Sequence, residues 1–555
     1  MRSEPNYRMV VEPDIRVTMR DGVRIALCVY RPDGDGPFPT LFAASPYQYE
    51  YDGNPAYPIF LWRETGPIQW YVTRGYAYVH ADVRGSGRSE GTFKFLDKEE
   101  QQDACELLEW IARQPWSDGK VGGIGQSYFG FSQWLLATHA PPQLRCIAPY
   151  DALIDPYRCS GFHGGIYCIY RTWWFSYLRA ETLHRAADAI RGRMLDYDLG
   201  KDLVEHQLYD DWWQERCAFE RIDRIDVPVF SIGHWGKLGL HLRGNILGYE
   251  HVRGAKKLLV TGARSAVEAH HLFDTIEFHD TELLPFYDHF LKGYANGYPE
   301  RPAVRLFVRG DEVLREEKEW PLARAEYKAF YFRAGRSGSL TSINDGRLAT
   351  EAPEEEESAS SYAYPDPEWV QGVAAVTDGG PDPIRRVLTF TGEPLPRDLE
   401  VTGPIVLHLY ASSTETDTDF FVKLADQWPA TPSVREARAQ PKSVNVSKGW
   451  LKASHRRKDP DRSSPYRPFY AHQSPEPLQP GKPYLFEIEV LPTAYVFKRG
   501  HRIRVEIVNG DSPITDSIHV HPYVPYKVGR DTIHHDATHP SHIVLPIIPR
   551  GVDLG

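Results

Sequence analysis

The sequence is poor in cysteine and has no long hydrophobic run. Its 555 residues include six cysteines, and no two of them form a Cys-x-x-Cys pair. This pattern fits reduced thiols better than a disulfide framework. No stretch approaches the roughly 20 apolar residues that cross a bilayer, and the opening MRSEPNYRMVVEPD has neither an apolar core nor a small-residue cleavage site. We therefore expect a cytoplasmic protein without a secretory signal or a membrane contact.

An excess of basic charge is also missing. The formal net charge is -11 at pH 7, whereas a protein that binds a phosphate backbone needs a basic surface. Nucleic acid is therefore not expected as a partner. Hydrophobic residues make up 41% and charged residues 25% of the chain, which is typical of a soluble globular protein. The chain is too long for one hydrophobic core, so two or three domains are expected.

The first 150 residues alternate between strand and helix patterns. Apolar runs such as FPTLFAASPY and YAYVHADVRG are typical of strands that are buried on both faces of a sheet. Between Glu99 and Arg113, apolar residues recur at helical spacing and acidic residues stand at the start. Strands that alternate with helices predict an α/β fold with a parallel, doubly wound sheet.

The pattern changes twice further along the chain. Helical segments rich in Trp and Tyr follow from about residue 155, and strand patterns return at VPVFSIGHWG and KKLLVTGA. After about residue 300, short alternating strands bounded by Gly and Pro predict an all-β sandwich. We therefore expect an α/β domain over residues 1–154 and 226–300, a helical cap inserted over 155–225, and a β-sandwich over 301–555.

The stretch KVGGIGQSYFG places Ser127 between a strand pattern and a helix pattern. Gly123, Gly125 and Gly130 surround it, and small residues let the chain turn tightly with a serine at the apex. Acyl transfer from a serine needs an accessible hydroxyl, a base to take its proton and donors for the oxyanion. The spacing is G-x-S-x-x-G, one residue longer than the usual nucleophile turn. Ser127 is thus either a nucleophile or an ordinary loop serine.

Several motifs resemble the cocaine esterase and X-prolyl dipeptidyl-peptidase family of serine hydrolases. They are SPYQYE (45–50), ADVRGSGRSEG (81–91) and LEWIARQPWSDGKVGGIGQSYFG (108–130). In the last third of the chain, PTAYVFKRGHRIRVEIVNGDSP resembles the C-terminal jelly roll of that family. The resemblance spans nearly the whole chain. It implies an α/β-hydrolase domain with an inserted helical cap, a C-terminal jelly-roll sandwich, and a serine hydrolase that needs no cofactor.

The resemblance assigns roles to three residues. Ser127 matches the nucleophile of the family, and Tyr128 matches the residue whose backbone N–H forms half of the oxyanion hole. Tyr47 matches the tyrosine whose hydroxyl forms the other half. A phenol can donate a hydrogen bond to an oxyanion without itself carrying charge. Without the neighbouring motif, Tyr47 would be interpreted as a tyrosine packed at the end of a strand.

Two positions depart from the pattern of the family. The acid usually lies in a G-x-W-x-D segment, and the aligned residue here is Lys237, which cannot neutralise an imidazolium. The histidine usually lies in G-P-W-S-H, and the same offset here falls on Ala266. Counting back from LLPFYDHFLKG places His270 where relatives with an altered loop have their base, with His271 as the second choice. The other interpretation is two adjacent histidines at the start of a helix.

The acid is predicted only from the expected topology. In this kind of sheet, the loop after the strand that follows the serine turn points toward the histidine, and here that loop offers Asp151 and Asp155. We select Asp155. A more distant carboxylate, a dyad completed by water or a backbone carbonyl, and a degraded site stay open. Loss of the acid alone costs about 10⁴ in turnover and still leaves measurable catalysis.

Two histidine-rich segments, GHWGKLGLH and TIHHDATHPSH, raise the question of a metal site. Zinc needs ligands on one face with ordered partners behind them. The resemblance places the second segment in the final strand of the sandwich, so we favour a structural role for it. We predict no metal and no cofactor.

These features together predict a serine hydrolase that cleaves carboxylic esters, and secondarily amides, through an acyl-enzyme on Ser127 with His270 as the base. One alternative is an X-prolyl dipeptidyl-peptidase-like aminopeptidase, which is disfavoured because such enzymes add an N-terminal helical domain. The other is a catalytically weakened binding protein on a hydrolase scaffold, which Lys237 motivates. The expected partner is a small-molecule ester or amide, and a homodimer is left open.

Overall fold

The structure is a computed structural model that describes most of the chain. The residues outside the description are 48–63, 184–196, 366–375, 378–379, 382–386, 437–440, 511–520, 522–526 and 550–555. Residues 48–50 of the SPYQYE motif and part of the predicted cap therefore lie outside the described residues. No helix in the described part of the chain combines the length and apolar character needed to cross a membrane.

The first sheet is built from the N-terminal half of the chain. The first twelve strands are β1 (Met9–Thr18), β2 (Arg24–Pro32), β3 (Phe38–Ser45), β4 (Ala77–Asp82), β5 (Ser117–Gln126), β6 (Leu144–Tyr150), β7 (Phe162–His163), β8 (Ile166–Tyr167), β9 (Val229–His234), β10 (Lys256–Thr261), β11 (Val304–Val308) and β12 (Val313–Glu317). Ten of them form one sheet in the order β1-β2-β4-β3-β5-β6-β9-β10-β11-β12, while β7 and β8 pair as a separate hairpin.

The strands from β4 to β11 in this order run parallel. Antiparallel pairings join β1 to β2, β2 to β4 and β11 to β12. Every residue of β3 and β4 is buried, as expected for parallel strands covered on both faces. The predicted α/β class is confirmed, and the carboxyl ends of β5, β6 and β9 lie side by side.

Helices cover the sheet, and several of them begin at polar caps. The α-helices are α1 (Ile68–Val72), α2 (Lys98–Ala112), α3 (Tyr128–Thr138), α4 (Tyr170–Leu178), α5 (Leu199–Glu205), α6 (Asp211–Arg216), α7 (Arg243–His251), α8 (Ala266–Phe273), α9 (Ile276–Phe278), α10 (Leu284–Phe290) and α11 (Pro432–Glu436). Asp97 caps α2 and Ser265 caps α8, each accepting a backbone N–H of the first turn. Ten of the eleven residues of α3 are buried, so this helix is part of the core and needs no polar face.

The segment between β6 and β9 contains short helices and the β7–β8 hairpin, whereas a purely helical cap was predicted there. The hairpin turns at Gly164 and Gly165, with φ angles of 55° and 88°. A Cβ on Gly164 would lie 2.0 Å from the carbonyl oxygen of Trp450. The backbone of the turn therefore lies directly against the C-terminal domain, and only glycine permits this approach.

The C-terminal domain is a closed barrel. Its strands, with the short pair β16–β17, are β13 (Glu326–Arg333), β14 (Gly346–Ala349), β15 (Ser360–Tyr364), β16 (Val376–Thr377), β17 (Gly380–Pro381), β18 (Leu388–Thr391), β19 (Leu399–Ser413), β20 (Asp419–Gln427), β21 (Ser443–Lys452), β22 (Tyr484–Phe497), β23 (Arg502–Val508), β24 (Gly529–His534) and β25 (His542–Ile548). The sheet order is β15-β24-β19-β22-β21-β20-β23-β18-β14-β13-β25, and β25 pairs again with β19 to close it.

The long strand β19 makes this closure possible. It pairs with β25 through residues 400–408 and with β24 through residues 410–413. Its register shifts at a bulge between Gly403 and Ile405, and a bulge of this kind bends a strand and increases its twist. The predicted β-sandwich is therefore present as a closed barrel, from which β24 and β15 extend.

The first sheet extends past the domain boundary predicted at residue 300. Strand β11 pairs with β10, and β12 returns beside it. Val304, Leu306 and Val308 of β11 are buried in a cluster that also contains Ala494 and Val496 of β22. An alternating strand has the same sequence pattern in either sheet, so the pattern alone did not show which sheet β11 joins.

Candidate active site

Ser127 lies at the junction between β5 and α3. Its backbone has φ 58° and ψ -117°, a conformation that is rare for residues other than glycine and costs about 1–3 kcal/mol. The Ser127 N–H donates to the carbonyl oxygens of Tyr150 and Asp151, at 3.2 and 3.0 Å. The neighbouring strand thus holds the turn in its strained form. The Ser127 side chain makes no capping hydrogen bond to α3, which is the arrangement of a nucleophile turn.

The unusual glycine spacing around Ser127 has a steric explanation. Phe129 stands where the usual turn has its second glycine, and Gly125 makes room for it. A Cβ on Gly125, which has φ 131°, would lie 2.3 Å from the Phe129 Cβ. A Cβ on Gly130 would lie 2.6 Å from the Ala152 Cβ. The two glycines therefore let α3 approach the strand ends closely enough to place Ser127 at the apex.

Tyr47 stands over the N-terminal end of α3. Its ring makes edge contacts with Tyr128 and Phe129, with centroid distances of 6.1 and 6.0 Å. The Tyr47 hydroxyl accepts a hydrogen bond from Trp174 Nε1 at 2.9 Å, so its own proton is available to donate. Burial raises the pKa of the Tyr47 hydroxyl well above its usual range, and the nearby carboxyl of Glu64 adds to this. The phenol therefore stays protonated.

Tyr128 is anchored away from Ser127 through its side chain. Its hydroxyl donates to Glu100 Oε1 at 2.7 Å, and its ring stacks on Trp174 with a centroid distance of 5.9 Å. The backbone N–H of Tyr128 is in the first turn of α3, where a helix has no internal acceptor for it. Trp174 thus contacts both residues that are proposed to supply the oxyanion donors, a link that the sequence did not reveal.

His270 and His271 are adjacent on α8 but face different environments. The His270 side chain is 22% exposed, and its Nε2 lies 3.9 Å from Glu64 Oε1. His271 is exposed. Burial lowers the pKa of His270 to about 3, and the positive charge of Lys237 contributes further. His270 is therefore neutral at pH 7, the protonation state that a general base requires.

Asp155 is paired with Arg158 and not with His270, which corrects the prediction that it completes a triad. Asp155 Oδ2 accepts from Arg158 Nη1 at 2.7 Å, and Oδ1 accepts from the Arg158 N–H at 3.1 Å. The Arg158 guanidinium also donates to the Tyr470 carbonyl at 2.8 Å. The chain enters a π turn over Tyr157–Gly161, and this turn directs Asp155 toward the contact with the barrel.

Asp151 is the carboxylate at the strand ends. It follows β6 directly, has φ 46° and is completely buried. Its Oδ2 accepts from Lys237 Nζ at 2.6 Å and from Gln126 Nε2 at 2.8 Å. Its Oδ1 lies 3.0 Å from His234 Nε2 and 2.8 Å from His241 Nδ1. The histidines of GHWGKLGLH therefore converge on this carboxylate.

The charges around Asp151 explain why a lysine can stand at position 237, where an acid was expected. Burial alone would raise the pKa of Asp151, but the neighbouring His241 imidazole and the Lys237 ammonium hold it well below its usual range. Burial alone would lower the pKa of Lys237, but Asp151 raises it. Lys237 and Asp151 are thus a buried ion pair. The carboxylate stands at the end of β6, and a cation stands just after β9, where the resemblance led us to expect the acid.

Glu64 is a second carboxyl that the sequence analysis missed. Its carbonyl accepts the Gln126 N–H at 2.8 Å and the Tyr150 hydroxyl at 3.2 Å, so its backbone lies against the serine turn. Burial raises the pKa of Glu64 to about 8, with Lys237 opposing the shift and Asp151 adding to it. Burial likewise raises the pKa of Asp274, which follows α8, to about 7. Glu64 and Asp151, whose pKa values are shifted in opposite directions, therefore both lie near His270.

The fold and the strained serine define a class. A parallel sheet with a serine of positive φ between β5 and α3 is the architecture of an α/β-hydrolase. The protein is a serine hydrolase with an inserted cap and a C-terminal β-barrel. Residues 21–264 match the X-Pro dipeptidyl-peptidase (S15) family, and residues 296–544 match the X-Pro dipeptidyl-peptidase C-terminal non-catalytic domain. The chain belongs to this family.

Individual relatives agree with this assignment. The chain is 30% identical to the cocaine esterase of Rhodococcus sp., over 97% of this chain and 99% of that protein. The crystal structure of a CocE/NonD family hydrolase from Staphylococcus aureus has a TM-score of 0.81 and 25% identity, covering 97% of this chain and 94% of that one. An α-amino acid ester hydrolase has the same fold, with a TM-score of 0.75, 22% identity, and coverage of 99% and 98%. The predicted family, fold and enzyme class are confirmed.

Proposed function

We propose that the protein hydrolyses carboxylic esters of small molecules through an acyl-enzyme on Ser127. The observation that carries the proposal is the strained backbone of Ser127, whose φ of 58° is maintained by the hydrogen bonds that its N–H donates to the carbonyl oxygens of Tyr150 and Asp151. A stable fold has no need of such strain at a serine, and strained backbone clusters at active sites. The 30% identity to a cocaine esterase over nearly the whole chain supports an ester as the substrate.

The proposed steps use the residues that the sequence analysis assigned to catalysis. His270 takes the proton of the Ser127 hydroxyl, and Oγ attacks the ester carbonyl carbon. The oxyanion is stabilised by the Tyr47 hydroxyl and the Tyr128 N–H. Collapse of the tetrahedral intermediate breaks the bond to the leaving alcohol, which receives its proton from His270. Water then attacks the acyl-enzyme by the same route and releases the acid.

In this proposal Asp151 takes the role of the usual acid without touching His270. Its charge favours protonation of His270, while Lys237 opposes it. Because Asp151 accepts hydrogen bonds from Lys237 and Gln126, it acts on the His270 imidazole by electrostatic attraction and not through a direct hydrogen bond. We therefore infer a slower base than that of a complete triad, since an imidazole of low pKa is a weak proton acceptor at neutral pH.

A fluorophosphonate probe tests the nucleophile. We expect it to label the folded wild-type protein and to leave Ser127→Ala unlabelled. Ser132→Ala is the matched control, because Ser132 lies one turn further along α3 and its hydroxyl only bonds carbonyl oxygens there. If folded wild-type protein stays unlabelled, the chain is a binding protein on a hydrolase scaffold and the proposal fails.

Release of X-Pro dipeptides is the second candidate function, favoured by the family match over residues 21–264. Comparison of p-nitrophenyl esters with Gly-Pro-p-nitroanilide separates the two. We expect kcat/KM for the esters to exceed that for the dipeptide anilide by at least about a hundredfold, because an anilide is a poorer leaving group than p-nitrophenolate and a His270 of low pKa is a weak base for the attack. A reversed ratio would establish the peptidase.

A further inference from the structure

Three side chains that can ligate a metal meet at the boundary between the hydrolase part and the barrel. They are His163 at the end of β7, Cys168 just after β8, and His521 from the chain between β23 and β24. Their ligand atoms all lie within 4.8 Å of one another, and all three residues are buried. None of the three takes part in the chemistry proposed for Ser127. Cys168 is not in a disulfide.

The hydrogen bonds of His163 define its tautomer. His163 Nε2 lies 2.5 Å from the carbonyl oxygen of Gly239 and 3.1 Å from that of Cys159. Because a carbonyl oxygen only accepts, Nε2 carries the proton and Nδ1 presents a lone pair. That lone pair faces His521 Nε2 at 2.9 Å. An imidazole that donates one N–H to a backbone carbonyl and directs the other nitrogen inward is the usual arrangement of a metal-binding histidine.

The distances suit a tetrahedral ion. Zinc binds imidazole nitrogen at about 2.0–2.1 Å and thiolate at about 2.3 Å, which places two nitrogens about 3.3 Å apart and a nitrogen and a sulfur about 3.6 Å apart. The observed nitrogen–nitrogen separation of 2.9 Å is close to the first of these values, and the thiol sulfur lies within 4.8 Å of both nitrogens. Two imidazoles and a thiolate favour Zn²⁺ over Ca²⁺ and Mg²⁺, which prefer oxygen ligands.

We propose that His163, Cys168 and His521 bind one Zn²⁺ ion, which ties the β7–β8 hairpin to the C-terminal barrel. The hairpin already contacts the barrel, since the Lys452 N–H donates to the Gly164 carbonyl at 2.9 Å and the His163 ring stacks on Trp450 at 4.6 Å. A ligand set drawn from both sides adds a cross-link at this contact. Three protein ligands leave one coordination position for water.

The cross-link has a consequence for the active site. Helix α4 begins two residues after Cys168, and Trp174 of that helix donates its Nε1–H to the Tyr47 hydroxyl at 2.9 Å. The ion would therefore hold the start of the helix that positions Tyr47. Its role is structural, because the proposed ligands do not touch the reacting atoms.

Cobalt serves as the spectroscopic probe for this site. The full-length protein is dialysed against a chelator and titrated with Co²⁺, and metal content is measured after reloading with Zn²⁺. We expect one ion per chain, a thiolate-to-cobalt charge-transfer band, and a higher Tm for the Zn²⁺-loaded protein. Cys168→Ala should lose the charge-transfer band and bind Co²⁺ at least about tenfold more weakly.

Cys217→Ser is the matched control, because Cys217 is a buried thiol of the same cap segment whose Sγ lies against the Ile154 carbonyl. It should retain the cobalt band. Should Cys168→Ala not fold, His521→Ala supplies the same test from the barrel side. Absence of stoichiometric binding to folded wild-type protein, or an unchanged band in Cys168→Ala, would overturn the proposal and would indicate a hydrogen bond from His521 to His163. Labelling of Ser127 is read separately, so the two proposals fail independently.

Discussion

Lys237 Nζ donates to Asp151 Oδ2 over 2.6 Å, and both side chains are almost completely shielded from water. The pair joins the carboxyl ends of β6 and β9, immediately beside the serine turn that Asp151 supports through its backbone carbonyl. The lysine at the position where the resemblance led us to expect an acid is therefore not an unpaired charge. It is the counter-ion of a carboxylate that stands one strand away.

Removal of Lys237 is expected to destabilise the protein. Lys237→Met leaves the Asp151 carboxylate buried without its counter-ion, and loss of one partner of such a pair costs about 3–5 kcal/mol. The free energy of unfolding, measured in urea, checks this. Lys201→Met is the control, because Lys201 forms an exposed ion pair with Glu205 on α5, and its loss should change stability by less than about 1 kcal/mol.

The double variant Lys237→Met/Asp151→Asn completes this test. With both charges removed, part of the lost stability should return, because no charge is left uncompensated. Equal stability of Lys237→Met and the wild type would show that Asp151 takes up a proton readily and that the pair is not charged.

Tyr47→Phe is expected to lower kcat by about 10²–10³ with little change in KM, because the hydroxyl is proposed to contact the oxyanion only as it forms. Steady-state kinetics on a p-nitrophenyl ester measures both parameters. Tyr157→Phe deletes a comparable buried donor, whose hydroxyl bonds the Gln207 carbonyl in the cap, and kcat should stay within about threefold. A similar loss in both variants would assign the Tyr47 effect to packing.

Ser127→Gly is expected to abolish activity and yet raise the free energy of unfolding by about 1 kcal/mol. Glycine adopts a φ of 58° without the strain that Ser127 carries. Ser132→Gly, inside α3, should lower stability by about 1 kcal/mol because glycine is a poor helix former. Urea unfolding of the two variants decides the matter, and a destabilised Ser127→Gly would mean that the turn is not strained.

The buried His270 predicts a pH dependence of stability. Its pKa is about 3 in the folded protein and about 6.5 in the unfolded chain, so the unfolded chain binds more protons between these values. The stability contribution is therefore present above about pH 6.5 and is lost as the pH falls toward about 3. Between pH 7.5 and 5 the free energy of unfolding should fall less in His270→Gln than in the wild type. The difference should be on the order of 1 kcal/mol.

His271→Gln is the control for this pH effect, since His271 is exposed on the same helix. Its unfolding free energy should follow the wild-type pH profile. If the profiles of His270→Gln and the wild type coincide, His270 is solvated and its pKa is not depressed.

The serine turn and the two kinds of sheet were predictable because their signals are local. Ser127 stands between a strand pattern and a helix pattern with glycines at hand, and period-two alternation marks the barrel strands. The sequence also indicated the family through long motifs in the right order. Backbone propensity and hydrophobic periodicity act over a few residues, so one sequence is sufficient to read them.

The partners of the buried charges depended on the tertiary structure. Asp151 and Asp155 are four residues apart with the same chemistry, but the φ of 46° at Asp151 and the π turn after it direct them to Lys237 and Arg158 respectively. Strand β11 joined the first sheet, although its alternation suits either sheet. His163 and His521 are 358 positions apart. Which side chains share a buried site is decided by long-range packing and desolvation, and these terms have no signature within a short stretch of sequence.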